Sequence, residues 1–195
     1  MPDAIVLLKN DHKDVERVFK QYEKLGDTAY VTKRKLVDQM IEKLAVHAAI
    51  EEQHFYPAVR EAANDLEDTV LEGLEEHHIV KCTLSELEDL PADDERFHAK
   101  VTVLIESVRH HVEEEEQDLF PEVRAALGRK TLTELGDVLE QAKAVAPLRP
   151  YPEAPDTPAA NLIVAPVAAV AAPAQAVADK GRRGLKRALG LDRRG

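Results

Sequence analysis

The sequence of 195 residues contains a single cysteine, Cys82, and no tryptophan. A disulfide within the chain needs a second cysteine, and zinc sites of the finger type use several thiolates, so the sequence excludes both. Aromatic residues make up only 4% of the chain, whereas apolar residues make up 44% and are mainly leucine, valine, isoleucine and alanine. This composition favours a helical domain over a β-sandwich.

Positive charge is scarce outside the carboxyl end of the chain. The net charge is −11, but residues 180–195 alone carry +6, so residues 1–179 carry −17. Binding to a nucleic acid backbone depends on lysine and arginine, so we do not expect the acidic body to bind nucleic acid. The amino terminus lacks a basic stretch followed by an apolar one, and we therefore expect a cytoplasmic location.

Apolar residues recur at helical spacing throughout residues 1–146, and proline, glycine and Asn-Asp or Asp-Asp pairs separate the helical stretches. The pattern predicts an all-α fold, an antiparallel up-and-down four-helix bundle. A short fifth helix is predicted from Thr131 to Ala144, because Thr131 and Glu134 have the spacing of a capping box.

Proline and alanine become frequent after residue 146, which indicates a different organisation there. We expect no membrane segment, because Pro166 and Pro173 interrupt the nearly uncharged stretch 159–178. The basic end of the chain is a candidate contact for a protein partner. The predicted division is a helical bundle (1–146), a disordered Pro/Ala-rich linker (147–180) and a basic tail (181–195).

Two stretches of the sequence occur twice. An acid-His-x-x-Val stretch begins at Asp11 and again at Glu76, 65 positions on. A longer stretch, H-x-x-x-E-E-Q followed by an aromatic residue, proline, valine and arginine, begins at His47 and again at His111, 64 positions on. Such self-similarity predicts two helical hairpins related by a pseudo-two-fold axis.

The spacing within the repeat indicates metal binding. A histidine and a glutamate four positions apart lie on one face of a helix, so both can reach the same metal ions. Each half supplies a histidine from its first helix, and a histidine and a glutamate from its second. Four imidazoles with two bridging carboxylates suit a pair of Fe, Mn or Zn ions. The predicted ligands are His12, His47, Glu51, His77, His111 and Glu115.

Neighbouring residues leave alternatives open. Glu52 and Glu116 directly follow the predicted glutamates, and either could bridge the metals or support the ligands from outside. His54 shares the predicted ligand face and is a candidate additional ligand. Its repeat partner is Asp118, so this pair of positions could instead support the ligands from outside.

At these motifs, over residues 1–125, the chain resembles the hemerythrin-like (HHE cation-binding) family, and its actinobacterial members in particular. The resemblance implies an antiparallel four-helix bundle that holds two iron ions joined by an oxo or hydroxo bridge. It also implies the metal ligands, which are carried over to His12, His47, Glu51, His77, His111 and Glu115 (or Glu116).

The sequence departs from the oxygen-carrying members of this family at one position. Those members have H-x-x-x-H on the third helix, whereas Gly73 stands four positions before His77 here. Water, peroxide or a phenolate could take the vacant coordination position, and Tyr56 is the candidate phenolate because some actinobacterial relatives have tyrosine before this proline. On an ideal helix Tyr56 points away from His47, so this role requires a distortion near Pro57.

Two functions follow from these expectations. The first is a di-iron protein that binds or decomposes a small oxygen species (hydrogen peroxide, O2 or NO), with catalase-like peroxide decomposition under oxidative stress as the candidate activity. The alternative is an iron or oxygen sensor that signals to a protein partner through its C-terminal tail.

Overall fold

The structure, a computed structural model, describes residues 2–152. The linker and basic tail predicted within residues 147–195 lie, from residue 153 onward, outside the described residues. A π-helical turn at Glu51–Phe55 joins the second and third helices, and another at Glu115–Leu119 joins the fifth and sixth. A single 3₁₀ turn spans Asn64–Leu66. The α-helices are α1 (Ala4–Glu23), α2 (Tyr30–Ile50), α3 (Tyr56–Ala62), α4 (Glu67–Asp89), α5 (Phe97–Glu114) and α6 (Phe120–Lys143).

The described residues form an antiparallel bundle of four long helical arms, which confirms the predicted fold class. The arms are α1, α2 continued by α3, α4, and α5 continued by the first part of α6. Helix α1 packs against α2 and α6, and α4 packs against α5. Within the described part of the chain, no helix combines the length and the apolar character needed to cross a bilayer.

A band of polar residues divides the hydrophobic core into two clusters. On α1 the buried His12 lies between Leu8, which belongs to one cluster, and Val15, which belongs to the other. On α4 the buried His77 similarly lies between Leu74 of the first cluster and Val80 of the second. The apolar clusters stabilise the bundle on both sides, and they hold the histidines at its middle.

Helix α6 bends at Gly128, whose φ of 71° is the only positive φ among the described residues. This left-handed conformation suits glycine, and it lets the second part of α6 fold back on α1. Thr131 lies inside the helix that follows, so the capping box predicted for Thr131 and Glu134 is wrong. The predicted end at Ala144 agrees with the observed end at Lys143 to within one residue.

The contact between α6 and the start of α1 depends on a glycine. A Cβ atom at Gly136 would lie 2.5 Å from the carbonyl oxygen of Pro2 and 2.9 Å from the amide nitrogen of Ala4. Both atoms belong to the backbone, so neither can move without displacing the start of α1. Only glycine therefore allows the two helices to approach this closely.

Replacing Gly136 with alanine is expected to lower the free energy of unfolding by about 1–3 kcal/mol, the usual cost of overpacking. The measurement is urea unfolding followed by circular dichroism. The matched control is Gly26→Ala, because a Cβ atom there would have nothing within 4 Å. Equal stability of the two variants would contradict the close packing described above.

Candidate metal centre

Both glutamates predicted to bridge the metals stand at the first residue of a π-helical turn. In each turn the backbone hydrogen bond spans five residues, from the amide of Tyr56 to the carbonyl of Glu51 and from Phe120 to Glu115. A π turn accommodates one extra residue, so it rotates every following side chain relative to an ideal α-helix. Because the turn occurs at the same position in both hairpins, it belongs to the repeated unit.

The six predicted ligands meet in the middle of the bundle, and all six side chains are buried. The Nε2 atom of His12 lies 3.2 Å from that of His47. In the second hairpin, the Nε2 atom of His77 lies 3.1 Å from that of His111. Each hairpin therefore presents a pair of imidazole nitrogens toward the centre.

The two buried carboxylates connect these histidine pairs. Glu51 Oε2 lies 3.1 Å from His47 Nε2 and 3.4 Å from His77 Nε2. Glu115 Oε2 lies 3.3 Å from His12 Nε2 and 3.7 Å from His111 Nε2. Each carboxylate thus reaches both pairs, as a bridging ligand must. Two buried groups with the spacing of a metal site result: His12, His47, Glu51 and Glu115, and Glu51, His77 and His111. A third such group, Glu76, His110 and Glu114, is more exposed.

An acidic side chain faces the outer nitrogen, Nδ1, of every one of these histidines. Hydrogen bonding at Nδ1 places the proton there and leaves the Nε2 lone pair directed inward, as is usual for metal-binding histidines. Two of these acids begin the acid-His motif, and the other two directly follow the bridging glutamates. The pairs are His12 with Glu116 at 2.9 Å, His77 with Glu52 at 3.2 Å, His111 with Glu76 at 2.6 Å, and His47 with Asp11 at 3.7 Å, the last beyond hydrogen-bond length.

The roles of Asp11 and Glu76 escaped the sequence analysis. The sequence pattern indicates both only as members of the repeated acid-His motif, and their recurrence beside a ligand is the available signal. Each reaches the histidine on the second helix of its own hairpin. Side-chain contacts of this kind depend on how the helices pack, which periodicity along one helix does not specify.

Without a cation, the electrostatics of the centre are unfavourable. The acids at Nδ1 of His77 and His111 turn two lone pairs toward each other at 3.1 Å, and a shared proton or metal ion relieves that repulsion. Both carboxylate oxygens of Glu51, and Oε2 of Glu115, are buried without a hydrogen-bond partner. Buried polar atoms seldom lack partners, so the donor set fits a bound cation.

The pKa shifts of these buried groups have identifiable causes. Burial, together with the charge of nearby Glu115, raises the pKa of Glu51 well above its usual value. Burial lowers the pKa of His47 to about 4 and also lowers the pKa of His77, so both imidazoles are neutral at pH 7. Burial lowers the pKa of His111 as well, but the charges of Glu115 and Glu76 outweigh it and the net shift is upward. Neutral imidazoles are the form that binds metals.

Tyr56 points into the centre, unlike on an ideal helix, because the extra residue of the π turn rotates it inward. Its hydroxyl donates a hydrogen bond of 2.9 Å to Glu115 Oε1, and its ring lies 5.5 Å from the ring of His77. A Cβ atom at Gly73 would lie 3.1 Å from this hydroxyl. Gly73 therefore leaves the room that the phenol of Tyr56 fills.

The remaining candidates lie outside the two ligand groups. Glu116 is partly exposed and binds Lys9 at 3.2 Å as well as His12, so it supports a ligand from outside. Glu52 is buried, and it binds Lys81 as well as His77. His54 is a member of neither group, and burial lowers its pKa.

A small cavity adjoins the four histidines, on the side of the second core cluster. Its volume is about 20 Å³, which corresponds to roughly one water-sized molecule. Apart from the histidines, its walls are apolar. They are formed by Val15, Leu44, Ala48, Val80, Val108 and Val112.

Comparison with known proteins agrees with this geometry. The model of the hemerythrin HHE cation binding domain matches residues 3–123. An uncharacterized hemerythrin-like protein of Schizosaccharomyces pombe is 26% identical over 162 residues, which cover 80% of this chain and 79% of that protein. The crystal structure of a hemerythrin HHE cation binding domain-containing protein from Mycobacterium kansasii shares the fold, with a TM-score of 0.62 and 23% identity over 74% of this chain and 89% of the other.

The family match extends over more than half of the sequence, and it includes both copies of the repeat. The cation-binding family and the buried groups of histidines and glutamates indicate a metal-binding protein. The chain belongs to the hemerythrin HHE cation binding domain family.

Proposed function

We propose that the chain is a non-haem di-iron protein that binds or decomposes a small oxygen species: hydrogen peroxide, O2 or NO. The convergence of four Nε2 atoms and two carboxylates at one buried point carries the proposal. Imidazole and carboxylate donors without thiolate suit iron. In this proposal the two irons would be held by His12, His47, His77 and His111 together with Glu51 and Glu115.

The iron pair, when bound, supplies redox chemistry and an exchangeable coordination position. The protein supplies the orientation of the ligands, because the acids at Nδ1 fix the direction of His12, His77 and His111. Tyr56 is placed to act as a phenolate ligand, since its proton already lies on a hydrogen bond to Glu115 Oε1. This tyrosine occupies the space that a side chain at position 73 would otherwise fill, so the proposal favours peroxide chemistry over reversible oxygen storage.

The cavity beside the histidines supports a small uncharged ligand. Its volume of about 20 Å³ leaves room for a peroxide or a diatomic molecule and little else. Its aliphatic walls keep bulk water away from the centre, which limits side reactions of a reactive oxygen species. The cavity and Tyr56 lie against different core clusters, so a ligand in the cavity does not compete with the phenol for space.

Protein purified from iron-supplemented medium should contain about two irons per chain, as expected for a bridged metal pair. His47→Ala should lose at least one of them, because it removes one of two imidazoles from its group. His98→Ala is the matched control, since this histidine is exposed and belongs to none of the groups with metal-site spacing. The measurement is elemental analysis, and near-zero metal in the unmodified protein after anaerobic ferrous reconstitution would contradict the site.

The iron-loaded protein should consume hydrogen peroxide, measured as oxygen release, and its absorption spectrum should change with NO or O2. His47→Ala should lower the rate of peroxide consumption by at least roughly tenfold, which corresponds to about 1.4 kcal/mol in the barrier. His98→Ala should retain the rate of the unmodified protein. If a protein with two irons neither consumes peroxide nor responds to NO or O2, the proposed function is wrong.

Tyr56→Phe should retain its iron but lose the visible absorption that a phenolate bound to ferric iron produces. The change removes only the hydroxyl, which donates to Glu115 Oε1. The matched control is Tyr22→Phe, because Tyr22 is equally buried but bonds His98 within the second core cluster. Visible absorption that persists in Tyr56→Phe would assign it to another group and remove Tyr56 from the ligand set.

A further inference from the structure

The two sides of the metal centre differ, although the hairpins repeat. Between α2 and α4, the ammonium group of Lys81 is buried and lies 3.0 Å from Glu52 Oε1. The same carboxylate binds His77, so lysine and glutamate together fill this side. The repeat partner of Lys81, 65 positions earlier, is Glu16, which is only partly buried. The side between α1 and α5 therefore lacks a buried ion pair equivalent to that of Lys81 and Glu52.

A groove of about 490 Å³ opens between α1 and α5 instead. At one end Arg109 on α5 binds two acids of α1, Glu16 at 3.0 Å and Glu23 at 2.7 Å. At the other end Lys9 on α1 binds Glu116 at 3.2 Å. These ion pairs join the two helices above and below the groove, and they leave its middle open toward His12.

Three valines separate this groove from the cavity beside the histidines. Val15, Val108 and Val112 line both the groove and the cavity. Val15 and Val108 are each 5% exposed, whereas Val112 is partly exposed. Rotamer changes of exposed side chains take picoseconds to nanoseconds, so Val112 can admit a small molecule without any movement of the helices.

We propose that the groove between α1 and α5 is the route by which small uncharged oxygen species reach the metal centre, and that Val15 and Val112 select them by size. The inference rests on the proposed function. Hydrogen peroxide, O2 and NO pass the valines, whereas organic hydroperoxides with bulky substituents are excluded. On the opposite side, buried Lys81 and Glu52 block the equivalent route.

The test compares Val15→Ala with Val80→Ala. Val80 is the repeat partner of Val15 and lines the same cavity from α4, but it does not border the groove. Both variants remove the same atoms from the cavity wall, so they share any effect on cavity size. Val15→Ala should raise the rate constant for NO association with the reduced, iron-loaded protein by roughly tenfold. Val15→Ala should also begin to consume cumene hydroperoxide, and Val80→Ala should do neither.

Equal acceleration by both variants, or acceleration by Val80→Ala alone, would overturn the proposed route. Xenon gives a readout that does not depend on activity, because apolar cavities take it up. In crystals of the iron-loaded protein under xenon pressure, we expect xenon in the cavity and between Val15 and Val112 at the groove. Xenon that reaches the cavity only from the α2–α4 side would also overturn the route. If the loaded protein neither consumes peroxide nor binds NO or O2, the proposed function fails, and the xenon positions still decide the route.

Discussion

The burial of two carboxylates among four imidazoles is the interaction on which the rest of this bundle depends. Glu51 is 0% exposed and Glu115 is 3% exposed, and three of their four oxygens lack a hydrogen-bond partner. Burying an uncompensated charge costs several kcal/mol, a large part of the total stability of a domain. A cation between the carboxylates removes this cost, so metal binding and folding are coupled in the proposed protein. The apolar clusters on both sides must stabilise a centre that, without a cation, opposes folding.

The acids at Nδ1 also explain how two repeated hairpins become one domain. Asp11 and Glu76 each face a histidine of their own hairpin. Glu52 and Glu116 each bind a histidine of the other hairpin, so these two contacts cross the pseudo-two-fold axis. The bridging glutamates cross the same axis from inside. A single E-E pair in each repeat therefore joins the halves twice, once at the centre and once around it.

Most of the bundle could be predicted from the sequence, but only part of its metal centre could. The recurrence of His12 at His77, and of His47 at His111, predicted which side chains the structure brings together, because a repeated pattern on apolar helical faces specifies a shared face. It did not predict the inward direction of Tyr56, because a helical period of 3.6 residues assumes no π turn. An ideal helix points Tyr56 away from His47, and the extra residue of the π turn rotates it inward.

Two other features depend on tertiary structure and were beyond the pattern. The last helix was predicted to begin at a capping box at Thr131, whereas Thr131 lies inside the helix that follows the bend at Gly128, where the backbone is left-handed. The outer acids could be recognised as recurring, but the pairing of Glu116 with His12 joins residues 104 positions apart. Periodicity within one helix carries no information about such a pairing.

The differences between the two hairpins make the two sides of the metal centre chemically distinct. A symmetric site would offer equivalent positions on both sides, whereas Tyr56 fills the space beside Gly73 and has no tyrosine partner, since its repeat position is Phe120. The ring of Phe120 stacks on His12 at 5.9 Å and cannot bind a metal. The phenol of Tyr56 therefore lies beside a histidine of the second hairpin, and the apolar ring of Phe120 lies beside a histidine of the first. The open groove lies beside His12. In the proposed function, a small oxygen species that arrived along this groove would meet the histidines across the valine-lined cavity, while the hydroxyl of Tyr56 lies on the side of the other core cluster.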